Sequence, residues 1–227
     1  MKKIIFIVIM IISILEARSY KNPTNFAHAK NIMQSIYLND LKTLYNQCEF
    51  KYDPDACSMN KVVYNGCKAH SKTHDDLVWG RVVSGTEYGK NLECMSENIC
   101  KSMSGSLYHG ARCCRKTSSR YQVMESDMFN IAPFISKRAL ENSRRTELPE
   151  SVKGDIARIY LYMNSTYKLG FSKKRLQRYN IWHNQDSVSE SECYRYKKIY
   201  KIQGRENPLM RSSCVRLETS LSKSSAL

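Results

Sequence analysis

Lys153-Gly154-Asp155-Ile156-Ala157-Arg158-Ile159-Tyr160-Leu161-Tyr162-Met163 is the stretch whose period decides the fold. With Val152 in front, Ile156, Ile159, Tyr160 and Met163 recur at the spacing of one helical face, and Ser151 is a candidate N-cap. Aromatic side chains at this spacing, Tyr160 here and Trp182 further on, read first as core. Toward the C-terminus Ser172 begins a second helix ending near Asn184, and Ser189 with Glu192 has capping-box spacing ahead of the Tyr194–Ile202 segment. Toward the N-terminus residues 24–45 also look helical, with Phe26, Ala29, Ile32, Met33, Ile36, Tyr37 and Leu41 on one face. Between these helical ends the texture changes. Short β-type runs, Lys61 to Tyr64 and Leu77 to Val83, alternate with Asn, Asp, Gly and Pro, and the stretch from Gly85 to Arg120 is irregular and rich in cysteine. There is no internal repeat and no βαβ alternation, so the expectation is α+β: mostly helical around a small β-element.

The chain has 227 residues. Its start reads as a secretory signal over residues 1–17: Lys2 and Lys3 precede an apolar run from Ile4 to Leu15, and Ala17 offers a small residue for cleavage. The run is short for a membrane span, no later stretch is more apolar, and an uncleaved anchor is the alternative. Residues 18–216 then form one domain, and 217–227 a Ser-rich tail. In an exported chain Cys48, Cys57, Cys67, Cys94, Cys100, Cys113, Cys114, Cys193 and Cys214 read as a disulfide framework. The adjacent Cys113 and Cys114 are expected to pair with different partners, and an odd total leaves one thiol free or intermolecular. Zinc-ligand spacing is not present in a convincing context.

Lys and Arg number 36 against 21 Asp and Glu, a formal charge of +15, and residues 1–17 remove only Lys2, Lys3 and Glu16 from that balance. Such an excess attracts polyanions. The cations gather in three places: Lys137, Arg138, Arg144 and Arg145; then Lys173, Lys174, Arg175 and Arg178; then the run from Tyr194 to Lys201, where rings and cations interleave. Positive helical faces beside rings suit phosphate contact and base stacking, and equally suit solvated surfaces. No P-loop, Ser-His-Asp or catalytic-cysteine pattern stands out.

Three segments in order carry a resemblance. Met124-Glu125-Ser126-Asp127-Met128-Phe129-Asn130-Ile131-Ala132-Pro133, the Lys153–Met163 stretch, and Ile202-Gln203-Gly204-Arg205-Glu206-Asn207-Pro208 together resemble the bacterial endonuclease I family of exported DNA/RNA nucleases. Trp182 lies between the second and third, and the similarity runs from about residue 26 to Cys214. Cys48, Cys67, Cys94, Cys113 or Cys114, Cys193 and Cys214 fall near family cysteines; Cys57 and Cys100 look like additions. A family segment before the Lys153 helix is absent, so Arg145 runs almost directly into Pro149. The resemblance implies a ββα-metal fold in which two strands and a helix hold one divalent cation, Mg²⁺, against the scissile phosphate while a histidine deprotonates water.

The pattern departs from that family at its centre. Val78-Trp79-Gly80-Arg81-Val82-Val83-Ser84 matches the family's W-E-H-V-V-P, placing Gly80 at the metal-ligand position and Arg81 at the base. Glycine brings no ligand, and arginine is neither a base near neutral pH nor a good neighbour for a cation. Phe129 replaces a second family histidine. For the helix-borne Asn ligand, direct alignment gives Ala139, whereas a shift of three residues, nearly one turn, gives Asn142 with Arg145. His70, His74, Asp75 and Asp76 are the one His/Asp cluster; they read as a polar loop, or as a relocated site.

The leading expectation is therefore a periplasmic or secreted monomer, without stable membrane insertion once the signal is cleaved, that binds DNA or RNA. Arg81, Lys137, Arg138, Arg144, Arg145, Arg158, Lys173, Lys174, Arg175 and Arg205 are its candidate contacts, and Asn142 a candidate metal ligand. Mg²⁺ belongs to it only if it cuts. The rival readings are an active nuclease with a relocated base and a non-enzymatic surface protein on the same scaffold. The sequon Asn164-Ser165-Thr166 falls inside an expected helix and reads as chance.

Overall fold

A computed structural model describes residues 23–45, 47–52, 62–65, 77–135 and 148–224. Helix α1 (Phe26–Ile36) is N-capped by Asn25, whose side chain accepts from the His28 amide at 2.9 Å. The helical expectation for 24–45 ends early: a 3₁₀ turn, Tyr37–Asn39, follows α1. Beyond it Lys42 bridges to Glu49, and the Leu44 amide donates to Pro133 O at 3.0 Å. Those pairings with extended chain outcompete another helical turn. Strands β1 (Glu49–Tyr52) and β2 (Val62–Asn65) pair antiparallel. The central ribbon is β3 (Leu77–Arg81), which pairs antiparallel with a later strand.

After β3 come short helices α2 (Gly85–Tyr88) and α3 (Glu93–Ser96), then a hairpin of β4 (Cys100–Lys101) and β5 (Leu107–Tyr108). Helices α4 (Ala111–Thr117) and α5 (Ser119–Glu125) follow, so the stretch that reads as irregular is an array of short elements. The disulfides are part of the core there, and, as expected, the adjacent Cys113 and Cys114 take different partners, Cys100 and Cys94. Cys48 is also disulfide-bonded, and Cys193–Cys214 closes the C-terminal part. A 3₁₀ turn, Met128–Asn130, leads into β6 (Ile131–Ile135), the partner of β3, with Gly80 opposite Ala132 and Arg81 opposite Ile131.

Four helices complete the fold: α6 (Glu150–Tyr167), α7 (Lys173–Gln185), α8 (Glu190–Gln203) and α9 (Pro208–Ser224). The caps expected at Ser172 and Ser189 are present, the latter as a full capping box with Glu192. Ser151 is not a cap. Pro149 holds that position and α6 starts one residue before Ser151. Helix α9 runs through most of the Ser-rich segment. The core lies between the ribbon and the helices, where Met33, Trp79, Val83, Tyr121, Met128, Ala157, Tyr162 and Met163 pack together. Among the described residues no helix is long and apolar enough to cross a membrane. The structure is therefore α+β and mostly helical, as the sequence implies.

Candidate functional site

The β3–β6 ribbon is held in register beyond its ladder by Asn130. Its side chain accepts from the Val83 amide at 2.7 Å and donates to Val83 O at 3.0 Å, while the Val82 amide donates to Asn130 O at 2.9 Å. This clamp sets the backbone path just past Arg81. The guanidinium of Arg81 donates through Nη1 to Glu125 Oε1 at 2.9 Å and stands 4.3 Å over the Phe26 ring. Arg115, which sequence reading missed, donates through Nε to both oxygens of Glu125 at 2.7 and 3.0 Å. One buried carboxylate thus organises two guanidiniums, and the group carries a net positive charge. Glu125, within the Met124–Pro133 segment, was the available signal for this partner.

Among the described residues, those beside Gly80 do not fit a divalent cation. Glycine supplies no ligand, Arg81 is a fixed cation next to it, and both Glu125 oxygens already accept from arginine. A Cβ built on Gly80 would lie 2.9 Å from Phe134 Cε2, so a ring occupies the space a longer side chain would need. Phe134 is itself stacked on Tyr45 at 5.2 Å between centroids. Among the described residues no cluster of His, Cys, Asp and Glu is arranged to hold a metal. Phe129 is buried against Tyr162 and Tyr196, with centroids 4.9 and 6.0 Å away.

The three quoted segments meet at Asp127. Its carboxylate accepts from Tyr162 Oη at 2.7 Å, Tyr167 Oη at 2.6 Å and Gln203 Nε2 at 3.0 Å, with Arg205 at 3.5 Å. Burial, and then the Asp127 charge, push both tyrosine hydroxyls well above their usual range, so they stay donors. These motif residues hold the scaffold together, which the sequence alone does not separate from a role in chemistry.

The candidate contacts divide. Arg158 is a correction: it is 1% exposed and cannot reach a polyanion. It donates to Glu192 at 2.8 and 2.9 Å, to Asp155 at 2.6 Å and to Asp186 O at 2.6 Å, tying α6 to α8 and to the turn between α7 and α8. Arg205 is half-exposed but engaged with Tyr167 Oη and Asp127. Arg175 pairs with Glu87, donates to Tyr179 Oη at 3.1 Å, and stacks on Phe171 at 4.0 Å and Tyr160 at 4.8 Å. Tyr160 in turn donates to Val82 O at 3.2 Å, the residue after Arg81. Arg81 and Arg175 are therefore linked through one tyrosine. Lys173, Lys174 and Arg178 lie exposed on the opening of α7. Lys137, Arg138, Asn142, Arg144 and Arg145, and the His70–Asp76 cluster, lie outside the described residues.

Asn164 of the sequon is half-buried within α6 and accepts from the Phe171 amide at 3.0 Å.

Comparison with known proteins finds similarity to one family. Residues 135–214 match the family described as Endonuclease I. The chain is 26% identical over 220 residues to an extracellular deoxyribonuclease of Aeromonas hydrophila, covering 83% of this chain and 90% of that one. It is 24% identical over 224 residues to Endonuclease-1 of Buchnera aphidicola subsp. Baizongia pistaciae, covering 86% of each. A periplasmic deoxyribonuclease of A. hydrophila is 24% identical over 220 residues, covering 83% of this chain and 86% of the relative.

Proposed function

We propose that this chain, a member of the endonuclease I family, is a periplasmic or secreted protein that holds DNA or RNA through its phosphates and has lost the chemistry that cuts them. One observation carries the reading: the guanidinium of Arg81, which the resemblance aligns with the family's base, is held by Glu125, and the Phe134 ring lies against Gly80, which the resemblance aligns with a metal ligand. Glu125 takes one nitrogen of Arg81 and one of Arg115, and the remaining N–H groups of the pair are donors suited to a phosphate. The exposed Lys173, Lys174 and Arg178 add sequence-independent attraction. Hydrolysis needs a group that takes a proton from water, and arginine keeps its own proton at any ordinary pH. Protein acting in this way needs no Mg²⁺.

The test is a mobility-shift and nicking assay on plasmid and on RNA with oxidised mature protein, in Mg²⁺ or in chelator. The expected result is an equal shift in both and no cleavage in either, with Arg81→Gln weakening the shift roughly tenfold. Chelator-sensitive cleavage by the wild-type chain would overturn the reading. If His74→Ala then abolished that cleavage, the relocated-base reading would replace it.

A further inference from the structure

The β4–β5 hairpin is a feature that phosphate binding does not use. Cys100 pairs with Tyr108 and Lys101 with Leu107, so side chains alternate across two faces. Cys100 and Tyr108 share the inner face. Cys100 is stapled to Cys113 of α4, and Arg112 and Lys116 of the same helix stand over the Tyr108 ring at 5.4 and 5.8 Å. Lys101 and Leu107 share the outer face, Ile99 precedes the strand, and Met103 sits in the turn. The turn closes through the Gly105 amide donating to Ser102 O at 3.0 Å, with Gly105 at φ +87°. Ile99 is 45% exposed, Leu107 63%, and Met103 wholly exposed.

Large aliphatic side chains on a rigid tip need a partner more than singly scattered ones do. Charge indicates which. From Asn98 to Ser118 the chain carries Lys101, Arg112, Arg115 and Lys116 and neither Asp nor Glu. Glu93 and Glu97 lie before the hairpin, and of these four cations Glu125 pairs with Arg115, its other partner being Arg81. An apolar tip with Lys101 on its own face, and Arg112 and Lys116 over the tyrosine behind it, matches the layering of an anionic bilayer surface, where hydrocarbon lies beneath phosphate. Nucleic acid offers the phosphate but rewards rings; the ring of this hairpin is turned inward under Arg112 and Lys116.

We propose that the Cys100–Tyr108 hairpin is a docking tip for an anionic membrane surface, with Met103, Leu107 and Ile99 dipping into the headgroup boundary and Lys101, Arg112 and Lys116 contacting lipid phosphates. The contact is peripheral and involves no spanning segment. It would hold the protein at the envelope while leaving the Arg81 ribbon available to nucleic acid.

The test is flotation of oxidised mature protein with vesicles of phosphatidylcholine, with or without roughly one-third phosphatidylglycerol. Binding is expected only with the anionic lipid, and Met103→Ser with Leu107→Ser is expected to lower partitioning roughly tenfold or more. Val215→Ser, at an exposed apolar site on α9, should leave it unchanged. Because the substituted side chains are exposed, folding should survive, and near-UV dichroism checks that. Independently, Met103→Trp should show a blue-shifted emission on anionic vesicles. Equal flotation of wild type and the double variant would overturn the proposal. So would an unshifted Trp emission, or a double variant that loses nucleic-acid shift but keeps its lipid binding.

Discussion

The Arg81 guanidinium and the bare Cα of Gly80 are adjacent, and the Phe134 ring stands within 2.9 Å of where a Cβ at position 80 would lie. Gly80→Glu with Arg81→His is therefore expected to gain no nicking activity in Mg²⁺ and to melt below wild type; adding Phe134→Ala should restore much of the lost melting temperature. Arg158 carries the next expectation. Arg158→Met leaves the Glu192 carboxylate buried without its cation, and Asp155 without its donor, which costs about 3–5 kcal/mol and is read by urea unfolding. Its charge in the sequence suggested a phosphate contact. A signal for burial was present, since Arg158 sits four residues before Tyr162 inside an apolar run, but charge alone does not report which face of a helix is covered. Asp155, beside it, is pushed up to about 8, first by burial and then by the Glu192 carboxylate, against the pull of Arg158. The folded chain thus keeps a proton that the unfolded chain releases. Stability from this site is fullest below about pH 4, falls as pH rises, and is lost above about pH 8. Asp155→Asn should flatten that slope in melts taken across the window.

Among the elements, those whose ends are written in side-chain chemistry were legible. Ser172 and Ser189 cap their helices as read, and Ser189→Ala should cost about 1 kcal/mol by removing the cap bond to the Glu192 amide. The end of α1 was not legible. Tyr37 and Leu41 continue the apolar period, but Asp40 is drawn to Arg195 at 2.5 Å and Phe50 N donates to Leu41 O at 2.8 Å. These are contacts across the fold, and no local pattern encodes them. Cys193–Cys214 ties α8 to α9 across 21 residues, so replacing both by serine should lower stability by about 3 kcal/mol in a denaturant titration.

For the whole molecule the order of the three similar segments announced the α+β scaffold, and Asp127 explains why they travel together: each sends a side chain to it or packs beside it. The candidate surface was less legible, because charge counted along a chain says nothing of which cations are spent internally. Arg158, Arg175 and Arg205 are engaged within the protein, while Lys173, Lys174 and Arg178 face outward. Replacing these three by glutamine is expected to reduce the slope of log affinity for DNA against log salt by up to about 3, measured by titration at several salt concentrations. The adjacent cysteines of α4 have a consequence for how the molecule is made. Exchanging partners, to join Cys94 with Cys113 and Cys100 with Cys114, would close loops of nearly the same length, so chain entropy scarcely distinguishes the two isomers. Only a formed α4, which points neighbouring side chains about 100° apart, makes the choice. Oxidation that outruns this helix would trap a scrambled isomer, so the yield of native protein should depend on a thiol-shuffling catalyst during export.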